Sequence, residues 1–269
     1  MNLSVVIITF NEEVNIGRTL AGVQPLVVDR KGEIIVIDSG STDHTTEIAK
    51  SFGAKVFVEE WKGFAAQKNS AIDKASGDWI LSLDADEEVS PGMCEFIFLA
   101  LFGKHQPEFA DFQGMIFSRR NCFLGRRIQH GGLYPDPKLR LVRRGSARFE
   151  ERLVHEDLRL TRGVEYRASL FSERGDPIEI VHHSYPTLTD YIEHMNRYSS
   201  LGAEMVMAKG PVRFGVSNIV LRPLATFIYN YFFRLGFLDG REGLLLHLYH
   251  AVYVSWKYAK AWELSRGHQ

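Results

Sequence analysis

Cysteine is scarce in this chain: two in 269 residues, Cys94 and Cys122. They have no metal-ligand spacing and form no disulfide framework, so two reduced thiols are expected, as in a cytoplasmic protein. No G-x-G-x-x-G follows the first apolar run; that position reads Thr9-Phe-Asn-Glu-Glu13, which excludes a dinucleotide oxidoreductase. Long hydrophobic runs are missing too. The longest uncharged stretch, Gly243–Trp256, is shorter than the ~20 apolar residues that span a bilayer. Residues 3–10 are apolar but lack a basic flank and a small-residue cleavage site, so they read as a strand and not as a secretory signal. Internal repeats and low-complexity tracts are absent from the sequence.

What is there is unevenly spread. The formal net charge is -1. Residues 1–100 carry 8 basic and 16 acidic side chains, residues 101–199 carry 16 and 13, and residues 200–269 carry 8 and 4. An acidic front excludes a nucleic-acid grip there. A basic, aromatic-rich back suits an anionic membrane surface.

The first hundred residues alternate. β-branched apolar runs at 3–9 and 34–37 predict strands buried on both faces, and the runs at 55–58 and 79–83 predict a third and a fourth strand. Helices are expected after Asn11 as N-cap with Glu12 and Glu13 in the first turn, up to about Gly53, over about 64–75, and from Pro91 to Phe102. Four strand–helix alternations imply an α/β fold with a parallel sheet and helices on both faces. Ligands in such sheets bind beyond the strands' carboxyl ends. Those ends carry Thr9–Glu12, Asp38–Asp43 and Asp84–Asp86.

The alternation stops after residue 110, where short strands at 113–117, 139–142 and 179–181 sit among arginines and glycines. A long helix is expected from about Leu188 to Lys209, with Thr187 and Asp190 as a capping box. Residues 214–262 are rich in Phe, Tyr, Leu and Trp but interrupted by Arg222, Arg234, Arg241 and Lys257. That pattern fits amphipathic helices lying in a membrane interface, or alternatively a helical cap or dimer face. Three regions follow: 1–105, 106–186 and 187–269.

Asp84 and Asp86 are carboxylates one residue apart at a strand end. In extended backbone they point to one side, and two like charges there call for a cation, Mg²⁺ or Mn²⁺. Glu87 and Glu88 are expected to face solvent. Asp38 suits a base or ribose, with an Asx turn as the alternative. Asp43 reads as a cap for the next helix. Lys68, on the helix before the fourth strand, can offset diphosphate charge. Glu156 or Asp157 can act as a general base, or form a surface ion pair. His182 and His183 follow a strand, and one of them can complete a metal site with Asp86.

Together Val5–Glu13, Val36–Thr42 and Leu83–Asp86 resemble the family 2 glycosyltransferases of the GT-A fold. Val154-His155-Glu156, His182–Tyr185 and Phe237-Leu-Asp-Gly240 are similar to the branch of bacterial lipopolysaccharide-core β-1,4-glucosyltransferases acting on inner-core heptose. The resemblance implies a GT-A domain with a nucleotide-sugar half (1–105) and an acceptor half (106–186), plus a C-terminal helical region. Thr9, Asn11 and Glu12 would line the nucleotide pocket, and Asp38 would hold the base or ribose. Asp84, with Ala85 beside it, would touch the nucleotide sugar; Asp86 and His182 would bind the metal; Glu156, beside Asp157, would be the base. The implied donor is UDP-glucose. The implied acceptor is a lipid-linked saccharide, lipopolysaccharide core or polyprenyl-linked, reached from the cytoplasmic face of the inner membrane. The Gln-X-X-Arg-Trp motif of processive synthases is absent, which favours addition of one sugar. A sugar-1-phosphate nucleotidyltransferase would need a glycine-rich basic loop where this chain has Thr9–Glu13.

Overall fold

Alternation in β1 (Leu3–Thr9) sets the layers. Successive side chains of a strand leave on opposite faces, so Leu3, Val5 and Ile7 join one apolar cluster while Val6 and Ile8 join another. The first cluster takes Ile16, Leu20 and Val23 of helix α1 (Ile16–Val27) and Met93 and Ile97 of α4 (Pro91–Leu101). The second takes Ala65, Ala71 and Ile72 of α3 (Phe64–Asp73). Each large side chain removed from water in these clusters contributes roughly 1.5–3 kcal/mol. The computed structural model describes residues 2–28, 32–103, 105–150, 156–210 and 212–266.

The chain divides into two compact units, residues 1–119 with 136–183, and residues 120–135 with 184–269. In the first unit β2 (Glu33–Asp38), β3 (Lys55–Val58) and β4 (Trp79–Asp84) join β1 in a parallel sheet of order β3-β2-β1-β4. Helix α2 (Thr45–Ser51) connects β2 to β3. Beyond β4 the sheet turns mixed. β5 (Glu87–Val89), β6 (Phe112–Phe123) and β8 (Asp136–Arg143) extend it with β12 (Glu179–Tyr185), in the order β4-β8-β6-β12-β5. β7 (Arg126–Arg127) and β11 (Val164–Arg167) pair with β6, and β9 (Ala147–Phe149) with β10 (Leu158–Leu160) forms a separate two-stranded sheet. This is the GT-A type of α/β arrangement that the sequence implied.

One local expectation fails. Asn11 does not cap a helix: α1 begins at Ile16, with Asn15 at its N-cap. Asn11 adopts a left-handed backbone (φ 53), which Asn tolerates better than most residues. The backbone N–H groups of Asn11, Glu12 and Glu13 donate to Ser41 Oγ, Thr45 Oγ1 and Asp43 Oδ2 of the neighbouring loop, and that engagement replaces a first helical turn. Asp43 also accepts from the backbone N of Thr45, the first residue of α2, as a capping side chain does.

The second unit is helical. Helix α5 (Leu188–Met207) opens on the Thr187–Asp190 capping box, each side chain accepting from the other residue's backbone N. Helix α6 (Arg222–Ile228) lies between two short π-helical segments, and α7 (Gly240–Arg266) runs 27 residues. Asp239 is buried just before α7, where its carboxylate accepts from the backbone N of Gln129 and His130 and meets the His130 ring at 3.0 Å. This gives the Phe237–Gly240 motif a structural task. Among the described residues no helix is long and apolar enough to cross a membrane.

Candidate active site

Strand register lines up the three polar strand ends. Thr9 pairs with Asp38 across β1 and β2, and Ile8 pairs with Asp84 across β1 and β4. β4 stops at Asp84 and the chain turns at Ala85 and Asp86. Because the backbone turns there, the two carboxylates find separate partners and not the shared side that extended geometry would give. Asp84 Oδ1 lies 2.7 Å from Lys68 Nζ, and its Oδ2 accepts from Arg140 at 3.1 Å. Asp86 Oδ2 lies 3.1 Å from His182 Nε2. The β5–β12 pairing sets His182 opposite Glu87, which carries its ring to Asp86; His183 instead meets Glu88 at 3.0 Å.

Charge follows from this arrangement. Burial disfavours the Asp84 carboxylate, but Lys68 and Arg140 outweigh burial and hold its carboxyl well below the usual range. Burial also opposes the charge on Asp86, and His182 overcomes it, so that pKa is lowered as well. Glu12 moves the other way. Desolvation raises its pKa, the hydrogen bond from Asn15 opposes that, and the charges of Asp86, Asp43 and Asp84 add to the rise. For Lys68, burial would lower the pKa, yet Asp84 and Glu156 raise it on balance.

Glu87 corrects an expectation. It is 0% exposed, not in solvent. Its Oε1 accepts from Arg140 at 2.5 Å and from Arg119 at 3.3 Å, and its Oε2 accepts from the backbone N of Asp84 at 3.1 Å. Arg140 and Arg119 were not singled out from the sequence. The available signal was a charge inside an apolar strand, as in Leu139-Arg140-Leu141: such a charge is costly to bury unless paired.

The remaining candidates divide. Lys68 Nζ donates to Glu156 Oε1 at 2.8 Å, so one buried ammonium touches both Asp84 and the candidate base. Asp157 directly precedes β10, and its carbonyl accepts from the backbone N of Glu150, the residue after β9. His155 and Val154, part of the same motif, lie outside the described residues. Asp38 is turned into its own loop: Oδ2 accepts from the backbone N of Gly40 and Ser41, and Oδ1 from Ser41 Oγ. That is the Asx-turn alternative. Asn11 Oδ1 accepts from Thr42 N at 2.8 Å. The Ala85 methyl is buried in the core, and its carbonyl accepts from Thr19 Oγ1, so its side chain lines no opening. Thr9 Oγ1 and Gln67 Oε1 are buried without a hydrogen-bond partner among the described residues.

No group of three or more His, Cys, Asp or Glu side chains among the described residues is arranged to hold a metal. Asp86 and His182, 3.1 Å apart, are a two-residue set and would by themselves supply at most two ligands. One carboxylate and one imidazole suit Mn²⁺ better than Mg²⁺, with the remaining positions left to water and a substrate's phosphates.

The sequence model of "Glycosyl transferase family 2" matches residues 4–156, more than half of the chain. An uncharacterized glycosyltransferase of Rickettsia typhi is 27% identical over 268 residues, covering 98% of this chain and 87% of the relative. The lipopolysaccharide core biosynthesis glycosyltransferase LpsC of Rhizobium meliloti is 26% identical over 267 residues, covering 97% and 92%. Among solved structures, S. aureus TarS 1-349 in complex with UDP aligns with a TM-score of 0.49 at 16% identity, over 100% of this chain and 92% of that one.

Proposed function

The chain belongs to glycosyl transferase family 2, and we propose that within it the enzyme moves one glucose from UDP-glucose onto a lipid-linked saccharide, such as a lipopolysaccharide inner core, with inversion. The lipopolysaccharide-core relative, matched along almost its whole length, supports the acceptor class. The observation that carries the site is the Lys68 ammonium, 2.7 Å from Asp84 and 2.8 Å from Glu156, which brings the donor-side carboxylate and the base within two hydrogen-bond lengths.

Residues 1–105 bind the donor in this reading, 106–186 the acceptor, and 187–269 the membrane. Thr9, Asn11 and Glu12 line the nucleotide pocket beside the loop that Asp38 shapes. Asp84, with the Ala85 backbone behind it, receives the donor sugar. Asp86 and His182 would hold a divalent cation whose chemistry is to neutralise the departing diphosphate. Lys68 adds fixed positive charge beside the leaving group. Glu156 takes the acceptor's hydroxyl proton as the oxygen attacks the anomeric carbon, and the nucleoside diphosphate leaves with the bonding electron pair. Since Lys68 engages Oε1, we assign that proton to Oε2. Asp157 supports the base from just before β10.

Membrane attachment rests on the second unit. Phe214, Val220, Leu224, Tyr229, Phe232 and Phe233 are exposed, together with Arg213, Arg222, Arg234 and Arg241. Aromatic anchors with arginines between them suit an anionic leaflet.

A nucleotide-sugar screen with Mg²⁺ or Mn²⁺, read by nucleoside diphosphate release onto heptose-containing and polyprenyl-linked acceptors, tests the reading. Failure to bind any nucleotide sugar in the presence of the cation overturns it.

A further inference from the structure

Behind the Asp84 carboxylate lies a layer of charge that the transfer chemistry does not use. Arg140 Nη2 donates to Asp84 Oδ2 and to Glu87 Oε1. Glu87 Oε2 accepts from the backbone N of Asp84. These contacts close a ring: Asp84 side chain, Arg140, Glu87, Asp84 main chain. The ring therefore grips one residue by its backbone and by its carboxylate. Three strands fix its members. β4 carries Asp84, β8 carries Arg140 antiparallel beside β4, and β5 holds Glu87 opposite His182. Arg119 on β6 braces the outside, reaching Glu87 at 3.3 Å and Asp136 at 2.8 Å.

Burial makes the ring a rigid support. Glu87 is 0% exposed and Arg140 5%. A buried ion pair is a poor stabiliser, because well-packed apolar side chains of similar volume commonly serve stability as well or better. What an apolar pair cannot do is orient a carboxylate. Asp84 has its other oxygen on Lys68, and Lys68 holds Glu156. Fixing Asp84 therefore fixes the ammonium that stands between donor and base.

We propose that Arg140 and Glu87 are positioning residues, whose closed ring sets the Asp84 carboxylate for the donor sugar and, through Lys68, sets Glu156 relative to it. This rests on the glycosyl-transfer reading. Neither residue touches substrate; both act through Asp84.

The test is a set of full-length variants: Glu87→Met with Arg140→Met together, Arg140→Met alone, and Arg140→Lys. Each is measured for thermal unfolding, nucleoside diphosphate affinity, and kcat/KM for the nucleotide sugar at saturating acceptor. The paired variant is expected to fold with a Tm close to that of the unaltered protein and to bind nucleoside diphosphate equally well. Its kcat/KM for the nucleotide sugar should fall about 100-fold, the scale of a displacement near 1 Å in an active site. Arg140→Lys should recover part of that loss, because it restores charge without the planar fork. A folded paired variant with unaltered kcat/KM overturns the inference. So does a loss of nucleotide affinity and Tm that runs parallel to activity across all three variants, since that pattern marks a structural role. If the unaltered protein transfers no sugar from any donor, the underlying reading fails first and the inference falls with it; the two failures are told apart by which protein is inactive.

Discussion

Lys68 Nζ donates to Glu156 Oε1 at 2.8 Å across 88 positions of sequence, joining helix α3 to the candidate base. Removing the ammonium leaves two carboxylates, Asp84 and Glu156, without their common partner. Lys68→Met should lower kcat at least 100-fold and destabilise the fold by on the order of 3 kcal/mol, as loss of one member of a buried ion pair does. Urea unfolding measures the second effect. A variant with unaltered midpoint and turnover would remove Lys68 from the site.

The Asp86–His182 pair gives a cation-dependence prediction. Asp86→Ala should abolish the response of nucleoside diphosphate release to added Mn²⁺. His182→Ala should raise the Mn²⁺ concentration needed by about 10–100-fold. Titration of each variant against the metal is the measurement. Identical titration curves for Asp86→Ala and the unaltered protein would refute the assignment.

Acid stability should depend on Glu33. Its carboxylate resists burial by accepting from Lys55 Nζ, Ser76 and Ser4, which together lower its pKa from 4.5 to about 2. A depressed folded-state pKa stabilises above the unfolded value, so the contribution is full above pH 4.5 and lost as pH falls toward 2. Glu33→Gln should cost on the order of 2 kcal/mol at pH 7, allowing for the solvent-exposed Lys55 partner, and nothing near pH 2. Denaturation curves for both proteins across that range decide it.

Membrane attachment should be electrostatic as well as apolar. Arg213→Ala with Arg241→Ala should weaken binding to vesicles containing phosphatidylserine by about 2 kcal/mol, near thirtyfold, at roughly 1 kcal/mol per arginine. Phe232→Ser with Phe233→Ser should release the protein at any salt concentration. Sedimentation with neutral vesicles as control provides the comparison, and equal pelleting of all variants would exclude this surface.

The parts of the fold that local chemistry determines were legible. β-branched runs marked β1 and β2, and a carboxylate, Asp38 or Asp84, closed β2 and β4. Pro91, and Thr187 before Asp190, marked helix starts that the structure shows. What stayed hidden depends on partners distant in sequence. Glu87 reads as one more surface acid until β12, some ninety residues on, pairs beside it and β6 and β8 bring the arginines. Asn11 reads as a helix cap until the loop at 41–45 claims its neighbours' N–H groups. Asp38 illustrates a different limit: a strand-end acid can face a ligand or tie its own loop, and only geometry decides between them.

The bonds around Asn11 have a consequence for how this end of the sheet can change. Backbone and side-chain bonds run in both directions between residues 11–13 and 41–45, including Thr42 N to Asn11 Oδ1 and His44 N to Glu13 Oε2. The two loops are thus stapled into a single ridge, and its ordering entropy is already spent before any ligand arrives. Exchanging either loop alone would strand the acceptors of the other, so reshaping this end of the sheet calls for replacing both together.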